Sequence, residues 1–326
     1  MTKSLASRWT LIAVVAAMVP VASLGIASPA MAEPPGILKI FKNCPLKEMK
    51  ELGASPESSL CNFNETTGGE VKIGETSVPI NSGVNEHKTL TLEGGAIETG
   101  NPENEREFFL LPGANGQSFS KTELDVPGGL ADIVNCNLIK GEGLWEKFER
   151  GACKVFFESG PLEVTATTES VATATDPAIL NLRALGLERN ESAVHLPVRI
   201  HLKNTFLGSS CYIGSEKEPI TLNLTTGATS PKSPNKSIKG KTGRAETPKE
   251  EKEGKVLTYL RFTENSLVDN AFSVPKAEGC GEFFSFIIDP VIDEKLKLPS
   301  ADGNNTAILN GTLNVTSAEN IEESEL

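Results

Sequence analysis

The stretch that decides the fold class is Val194–Leu202 (VHLPVRIHL). Positions 196, 198, 200 and 202 carry Leu, Val, Ile and Leu, whereas positions 195, 197, 199 and 201 carry His, Pro, Arg and His. Successive side chains of a strand point to opposite faces, so a period of two is typical of a half-buried β-strand. The stretch therefore predicts a strand with one face on a core and the other in solvent.

The same alternation recurs along the chain. In residues 220–225, Ile and Leu alternate with Thr and Asn, and shorter runs lie at 88–92, 162–168, 256–262 and 306–315. Turn residues separate these runs at Gly94-Gly95, Pro112-Gly113 and Pro127-Gly128-Gly129. Short strands with such spacing are typical of all-β proteins. The sequence predicts a mainly β fold of antiparallel sandwich or barrel-like sheets with a few short helices.

Three short helices are expected between the strands. Asp176-Pro177 and Asp289-Pro290 place an N-cap residue before a proline that suits the first helical position. The first of these helices would stop at Gly186 and the second before Pro299. The third would be a helical turn over residues 142–150.

Two halves of the chain share an ordered set of short signatures, which either an ancient duplication or common strand composition explains. The paired signatures are Ile73-Gly74 and Pro79-Ile80 with Ile213-Gly214 and Pro219-Ile220, Val126-Pro127 with Val274-Pro275, Cys153-x-x-Phe156-Phe157 with Cys280-x-x-Phe283-Phe284, and Asp176-Pro177 with Asp289-Pro290. We expect a signal peptide over 1–32, β-rich halves over 33–187 and 188–318, and an acidic tail over 319–326.

Residues 227–255 interrupt the second half with a change in composition. Three prolines stand among repeated Lys, Glu, Ser and Thr, with Ile238 as the one large apolar residue before Val256. A segment of this kind has little to bury, which is typical of disorder. The sequence predicts a disordered insertion between two strands.

The N-terminus has the three parts of a secretory signal peptide. Lys3 and Arg8 precede an apolar run over 11–18, and Ala30-Met31-Ala32 offers a cleavage site. Cleavage leaves 29 basic and 43 acidic residues, a net charge of −14. This balance disfavours a nucleic-acid partner, and no later run has the length of a membrane span. We expect an exported protein, extracellular or loosely associated with the cell envelope, with no integral membrane segment.

An even number of cysteines in an exported chain is typical of a disulfide framework. Six cysteines allow fifteen pairings. Because two pairs are each seventeen residues apart, we expect two local bridges and a third by elimination. The predicted bridges are Cys44–Cys61, Cys136–Cys153 and Cys211–Cys280.

Several stretches of the second half form a recognisable series: Leu196-Pro197-Val198, 207–214 (LGSSCYIG), 219–227 (PITLNLTTG), 267–270 (LVDN), Gly279-Cys280-Gly281 and 305–312 (NTAILNGT). Together they resemble a family of uncharacterised secreted proteins of Actinobacteria. The likeness covers roughly residues 41–312, apart from the charged insertion. It implies export and the same cysteine framework. It does not indicate which activity, ligand or catalytic residue the protein has.

Three short motifs match those of known enzymes or calcium-binding loops only in part, because the residues or elements that each motif requires around it are missing. Ser118-x-x-Lys121, Ser233-x-Asn235 and Lys241-Thr242-Gly243 follow the order of penicillin-recognising enzymes, but the first lies in a predicted strand and turn rather than a helix. Gly240-Lys241-Thr242 lacks the earlier glycine of a phosphate-binding loop. The turn at 302–305 lacks the full calcium-loop pattern.

The three histidines do not suggest a metal or catalytic site. His195 and His201 stand about 20 Å apart on an extended strand, too far to share one ion, and solvated strand positions are expected for both. His87 lies in a polar turn. We therefore predict no catalytic, cofactor-binding or metal-binding residue.

The expected function is non-enzymatic binding, or a structural role, with an unknown extracellular or envelope ligand as partner and no cofactor. The alternative is a secreted glycan hydrolase that uses two carboxylates. Such an enzyme needs a pair of Asp or Glu residues about 5–10 Å apart in a cleft. No particular pair stands out among the 43 acidic residues.

Overall fold

The alternating runs of the sequence form the strands of one large antiparallel sheet. The computed structural model describes residues 36–101, 106–129, 139, 141–157, 163–252 and 254–325, without the side chains of 152–157 and 325. Residues 33–326 form one unit. The prediction of a mainly β, antiparallel fold with few short helices is confirmed.

The predicted runs overlap the strands at 90–98, 165–170, 194–203, 220–224, 255–258, 260–269 and 306–317, whereas the longest described strand, 59–73, was not predicted. Gly94-Gly95, predicted as a turn, lies within the strand at 90–98. The described strands are β1 (Ser59–Ile73), β2 (Thr76–Ile80), β3 (Leu90–Glu98), β4 (Glu107–Pro112), β5 (Leu124–Asp125), β6 (Thr165–Ser170), β7 (Ile179–Asn181), β8 (Val194–Lys203), β9 (Tyr212–Ile213), β10 (Ile220–Leu224), β11 (Arg244–Glu246), β12 (Lys249–Lys252), β13 (Lys255–Thr258), β14 (Leu260–Asp269), β15 (Ala277–Glu278) and β16 (Thr306–Ser317). The described helices are α1 (Leu46–Glu51), α2 (Leu144–Phe157), α3 (Leu182–Gly186), α4 (Ser285–Leu296) and α5 (Ala318–Glu325).

The sheet closes into a ring of strands. Its order is β11-β14-β16-β1-β3-β4-β7-β8-β6-β5, and β10 and β9 pair with the other edge of β8. Beyond β10, Thr225 and Val268 exchange two backbone hydrogen bonds of 2.9 Å, which join β10 to β14. We call this junction, with the neighbouring Lys241–Ser266 bridge, the closed seam.

The predicted faces of β8 explain what fills the ring. Leu196, Val198 and Leu202 are buried, and with apolar residues of β10, β14 and β16 they belong to the main core. A second, smaller core surrounds Phe41, Tyr259 and Ile321. Most of the predicted acidic tail, residues 319–325, lies in helix α5. This helix begins in the second core, and its Glu322 lies 2.9 Å from Lys50.

The predicted halves contribute to one sheet system. Strand β1, of the 33–187 half, pairs with β16, of the 188–318 half, over twelve positions. The paired signatures do not all occupy matching places, since Asp176-Pro177 precedes β7 whereas Asp289-Pro290 lies inside α4.

The two Asp-Pro pairs do not start helices as predicted. Helix α3 begins later, where the Asn181 side chain accepts a hydrogen bond of 2.8 Å from the Ala184 N–H. Residues 179–181 pair with β4 and β8 instead, because the strand ladders satisfy their backbone groups. In α4 the Asp289 side chain accepts hydrogen bonds from the backbone of Gly279 and Cys280. The predicted helical turn over 142–150 falls within α2.

The described residues of segment 227–255, which are 227–252, 254 and 255, are ordered, unlike the predicted disordered insertion. Thr229 donates its N–H to Ile238 O at 2.9 Å, and Asn235 donates its side-chain amide to Asn305 O at 2.8 Å. Further on, β11 pairs with β14, and β12 with β13. Composition misleads here because hydrogen bonds to the ring, rather than apolar burial, position this polar segment.

Candidate functional site

Two of the three predicted disulfides are confirmed. Cys44–Cys61 ties the segment before α1 to the start of β1, and Cys211–Cys280 joins the chain beside β9 to the chain beside β15. All four cysteines are buried. The third predicted bridge, Cys136–Cys153, lies outside the described residues. These two disulfides link separate segments of the chain and so stabilise the fold.

The two strand histidines are not the solvated residues predicted from the alternation. Nε2 of His195 lies 2.8 Å from Asp176 Oδ1, and its Nδ1 lies 2.8 Å from Asn223 Oδ1. Nδ1 of His201 lies 3.5 Å from Glu169 Oε1, and its ring stacks on Tyr212 at 4.4 Å. Neighbouring strands supply Asn223, Glu169 and Tyr212, and the segment before β7 supplies Asp176, so the polar face of β8 is partly covered. The two histidines belong to different clusters.

Three carboxyl groups have a pKa raised by burial, and each of them accepts hydrogen bonds from backbone N–H groups. Burial raises the pKa of Asp269, whose oxygens accept the N–H groups of Asn223 and Ala271. Burial likewise raises the pKa of Asp289 and of Asp293. Each of these three side chains holds backbone around β10 or β15. None of them lines the groove described next.

A groove of about 890 Å³ opens between β4 and β6. One wall is residues 109–112 of β4 with 116–121, and the other is residues 167–170 of β6 with 172–174. Its volume lies within the range of about 300–1,000 Å³ that is usual for ligand sites. Apolar side chains alternate with hydroxyl groups, which are those of Ser118, Ser120, Thr167, Thr168, Ser170 and Thr173.

The charged side chains of the groove are few. Glu169 is the one carboxylate among the described lining residues, and its Oε2 accepts hydrogen bonds of 2.7 and 2.9 Å from Arg199. Lys203 donates to Glu123 at 2.7 Å, and this hydrogen bond holds the pKa of Glu123 below its ordinary value. Lys121 and Lys203 give the lining more positive than negative charge. This lining does not contain the converging carboxylate pair of a glycosidase.

Two buried polar atoms at the groove are unsatisfied. Thr167 and His201 are directly opposite on β6 and β8. Thr167 Oγ1 and His201 Nε2 are both buried without a hydrogen-bond partner among the described residues. Buried polar groups are normally paired with protein or with water. Thr167 lines the groove, whereas His201 is not among its lining residues.

A small cavity inside the ring lies next to the groove. It holds about 110 Å³ and is lined mainly by Leu and Val of β3, β8, β10, β14 and β16. Phe119, Ser120 and Thr168 line both spaces. The inner cavity is smaller than usual ligand sites, so the groove is the candidate site.

The enzyme motifs weighed from the sequence have structural roles. Ser118 and Ser120 are extended and bond to β3, so Ser118-x-x-Lys121 does not begin a helix. The Thr242 hydroxyl donates to Leu185 O. Asp302 accepts the Lys232 N–H at 3.2 Å. No group of residues arranged for a metal ion occurs in the described part of the chain.

No pattern in the sequence indicated the groove. Its walls come from β4, β6 and the segment 116–121, which are distant in the chain, and only their registers place them side by side. Among the described helices, none has the length and apolar character of a membrane span. No family model, curated protein or solved structure matches this chain.

Proposed function

We propose that the mature protein, residues 33–326, acts outside the cytoplasm as a binding protein and uses the groove between β4 and β6. The signal-peptide pattern of residues 1–32 and the two disulfides support the location, because disulfides persist in oxidising compartments. The binding role depends on the groove itself, and binding there requires no chemical turnover.

The observation that carries the proposal is the composition of the groove. It combines ligand-sized volume, apolar walls and many hydroxyl groups with a single described carboxylate that Arg199 already binds. Binding sites characteristically join apolar surface to a few polar groups that orient the ligand. A mature charge of −14 disfavours anionic polymers as partners. A neutral glycan or a protein segment is therefore the expected class of ligand.

The test is a binding screen with a matched pair of variants. Oxidised mature protein is incubated with neutral polysaccharides, peptidoglycan and peptide pools, and both binding and released products are measured. Phe109 lines the groove and is 39% exposed, whereas Phe283 is 90% exposed and outside the groove. Phe109→Ala should weaken binding about tenfold or more, since anchoring aromatics contribute above 1 kcal/mol, and Phe283→Ala should not.

Two results would overturn this function. Loss of binding in Phe283→Ala but not in Phe109→Ala would place the site elsewhere. Turnover of a glycan that one Asp or Glu substitution abolishes, with the fold intact, would show that the protein is a hydrolase.

A further inference from the structure

The wall of the strand ring has a gap beside the groove. Strand β6 pairs with β8 along one edge, and its other edge pairs with β5 only at Thr165 and Ala166. Residues 167–170 of that edge face the groove. Across the groove, Phe119 pairs with Leu92 of β3. We call the gap between residues 167–170 and residues 118–120 the open seam.

The backbone of β6 is available at the open seam. Val171 donates its N–H to Pro197 O at 3.0 Å, which marks that pair as hydrogen-bonded. Hydrogen-bonded pairs alternate along an antiparallel ladder, so residues 167 and 169 bond to β8. The N–H and C=O groups of Thr168 and Ser170 therefore point away from β8, and no described strand pairs with them there.

The opposite side of the open seam has the same property. Ser118 O accepts the Glu93 N–H and Ser120 N–H donates to Thr91 O, both at 2.9 Å. Because these flanking residues bond to β3, the N–H and C=O of Phe119 point away from it. On both sides of the gap there are thus backbone donors and acceptors with no partner among the described residues. Exposed strand edges of this kind pair readily with another chain.

We propose that an extended peptide segment of another protein adds a strand at the open seam. This inference rests on the proposed binding function and names its ligand class. The guest strand would continue the row that β5 begins, and pair with Thr168 and Ser170 on one side and Phe119 on the other. In strand addition, main-chain hydrogen bonds give affinity and alternate side chains give specificity. Glycans lack the regularly alternating amide groups that such a ladder requires.

The side chains of the groove define the guest further. Thr167 and Glu169 lie on one face of β6 and line the groove, so a polar side chain of the guest on that face would lie next to the Thr167 hydroxyl, which has no described partner. Thr168 lies on the other face, beside the apolar inner cavity, so the adjacent guest residue should be small and apolar. Of the charged lining residues, Glu169 is bound by Arg199 and Lys203 by Glu123, which leaves Lys121 without a described ion-pair partner. We expect an acidic residue of the guest near Lys121, because opposite charges favour association.

The probe is a displayed library of random peptides about ten residues long, selected on the oxidised mature protein. Enriched peptides are synthesised and then N-methylated at one backbone position at a time. Methylation should weaken binding about tenfold at the two alternate residues that pair with β6 and at the residue between them that pairs with Phe119, since each loses hydrogen bonds to the seam. Methylation outside this central stretch should change affinity less than about threefold. A uniform response along the peptide would overturn strand addition.

Matched variants test the same point on the protein. Ser170→Pro removes an N–H that the β6–β8 ladder does not use, a position where an edge strand tolerates proline. It should weaken peptide binding about tenfold, whereas Ser170→Ala keeps the N–H and should bind within about threefold. Unchanged binding by folded Ser170→Pro would contradict the proposal. If Ser170→Pro does not fold, the methylated peptides decide.

Amide hydrogen exchange gives an independent measurement. Bound peptide should slow exchange at Thr168, Ser170 and Phe119, and leave Thr167 and Glu169, already bonded to β8, unchanged. Unaltered exchange at the first three residues under saturating peptide would overturn the proposal. If the library yields no binder while a polysaccharide binds in a way that depends on Phe109, strand addition by a peptide is refuted and the proposed binding function stands. Failure of every ligand to depend on Phe109 would refute both.

Discussion

The closed seam and the open seam are two places where the strand ring joins strands that are distant in the chain. At the closed seam, Thr225 and Val268 exchange two backbone hydrogen bonds, and buried Asp269 accepts the Asn223 N–H at 2.6 Å. At the open seam, Phe119 and Thr168 line opposite walls of the groove, and no described residue pairs with the backbone groups that they turn toward it. Backbone hydrogen bonds therefore join the strands at the closed seam and do not join the described strands at the open seam.

The difference teaches which part of the ring maintains the fold and which part is free to bind. A buried backbone group without a partner costs free energy, so folded proteins rarely keep such groups. The closed seam follows this rule through bonds within the chain. The open seam can follow it only through water or a guest, and its neighbouring groove has room for either. Changes near the closed seam should alter stability, and changes at the open seam should alter binding.

The largest expected effect is on the core between the seams. Leu196 is buried on β8 and lines the inner cavity. Leu196→Ala should lower the free energy of unfolding by about 2–5 kcal/mol, because it enlarges that cavity and removes apolar burial. Urea unfolding measures the loss. Leu187→Ala, at an exposed position, should stay within about 0.5 kcal/mol of wild type.

Peptide or glycan affinity per folded molecule should not change in Leu196→Ala. A loss below about 1 kcal/mol would show that the inner cavity is not part of the packed core. Weakened ligand binding by the folded variant would show that the inner cavity, rather than the groove alone, takes part in recognition.

A smaller loss is expected from a methyl group at the closed seam. A Cβ at Gly240 would lie 2.4 Å from Ser266 O and 2.5 Å from Thr225 O, both backbone atoms of the seam. Gly240→Ala should lower the free energy of unfolding by about 1–3 kcal/mol through overpacking. Gly186 has open space around its Cβ direction, so Gly186→Ala serves as the control and should be neutral or slightly stabilising. An equal effect of both variants would refute the tight closure.

The closed seam should also give the protein a pH dependence. Because burial raises the pKa of Asp269 above 3.8, the folded state retains this proton at a higher pH than the unfolded state. Its contribution to stability is full below 3.8 and is lost as pH rises through the raised pKa. The stability of wild type relative to Asp269→Asn should therefore be greater at pH 3.8 than at pH 7. Parallel pH profiles of the two proteins would contradict the burial of this charge.

The sequence predicted several of the strands that border the two seams. It did not predict which distant strands join at the closed seam or stay apart at the open seam. Strand β8 was predictable because the alternation at 194–202 is local and assigns each side chain to a face. The closed seam depends on segment 227–243, whose polar composition predicted disorder, although Asn235 bonds to the backbone of Asn270 and Asn305. The open seam depends on register differences between β4, β6 and 118–120. Such long-range registers leave no periodic pattern in a single sequence.

The smallest expected effect on stability lies at the open seam, and its sign is informative. The Thr167 hydroxyl is buried without a described partner, and valine replaces that hydroxyl with a methyl group of similar shape. Removing an unpaired buried polar group is neutral or stabilising, whereas removing a satisfied one costs about 1 kcal/mol. Thr167→Val should therefore raise the free energy of unfolding by up to about 1 kcal/mol or leave it unchanged.

Ligand binding should move the other way in the same variant. If a ligand satisfies the Thr167 hydroxyl, Thr167→Val loses one hydrogen bond and affinity should fall about threefold to tenfold. Thr167→Ser, which keeps the hydroxyl, is the matched control and should bind as wild type does. A Thr167→Val protein that loses about 1 kcal/mol of stability and binds normally would show that water, rather than a guest, satisfies this atom. The open seam would then be a hydrated gap, and its contrast with the closed seam would carry no function.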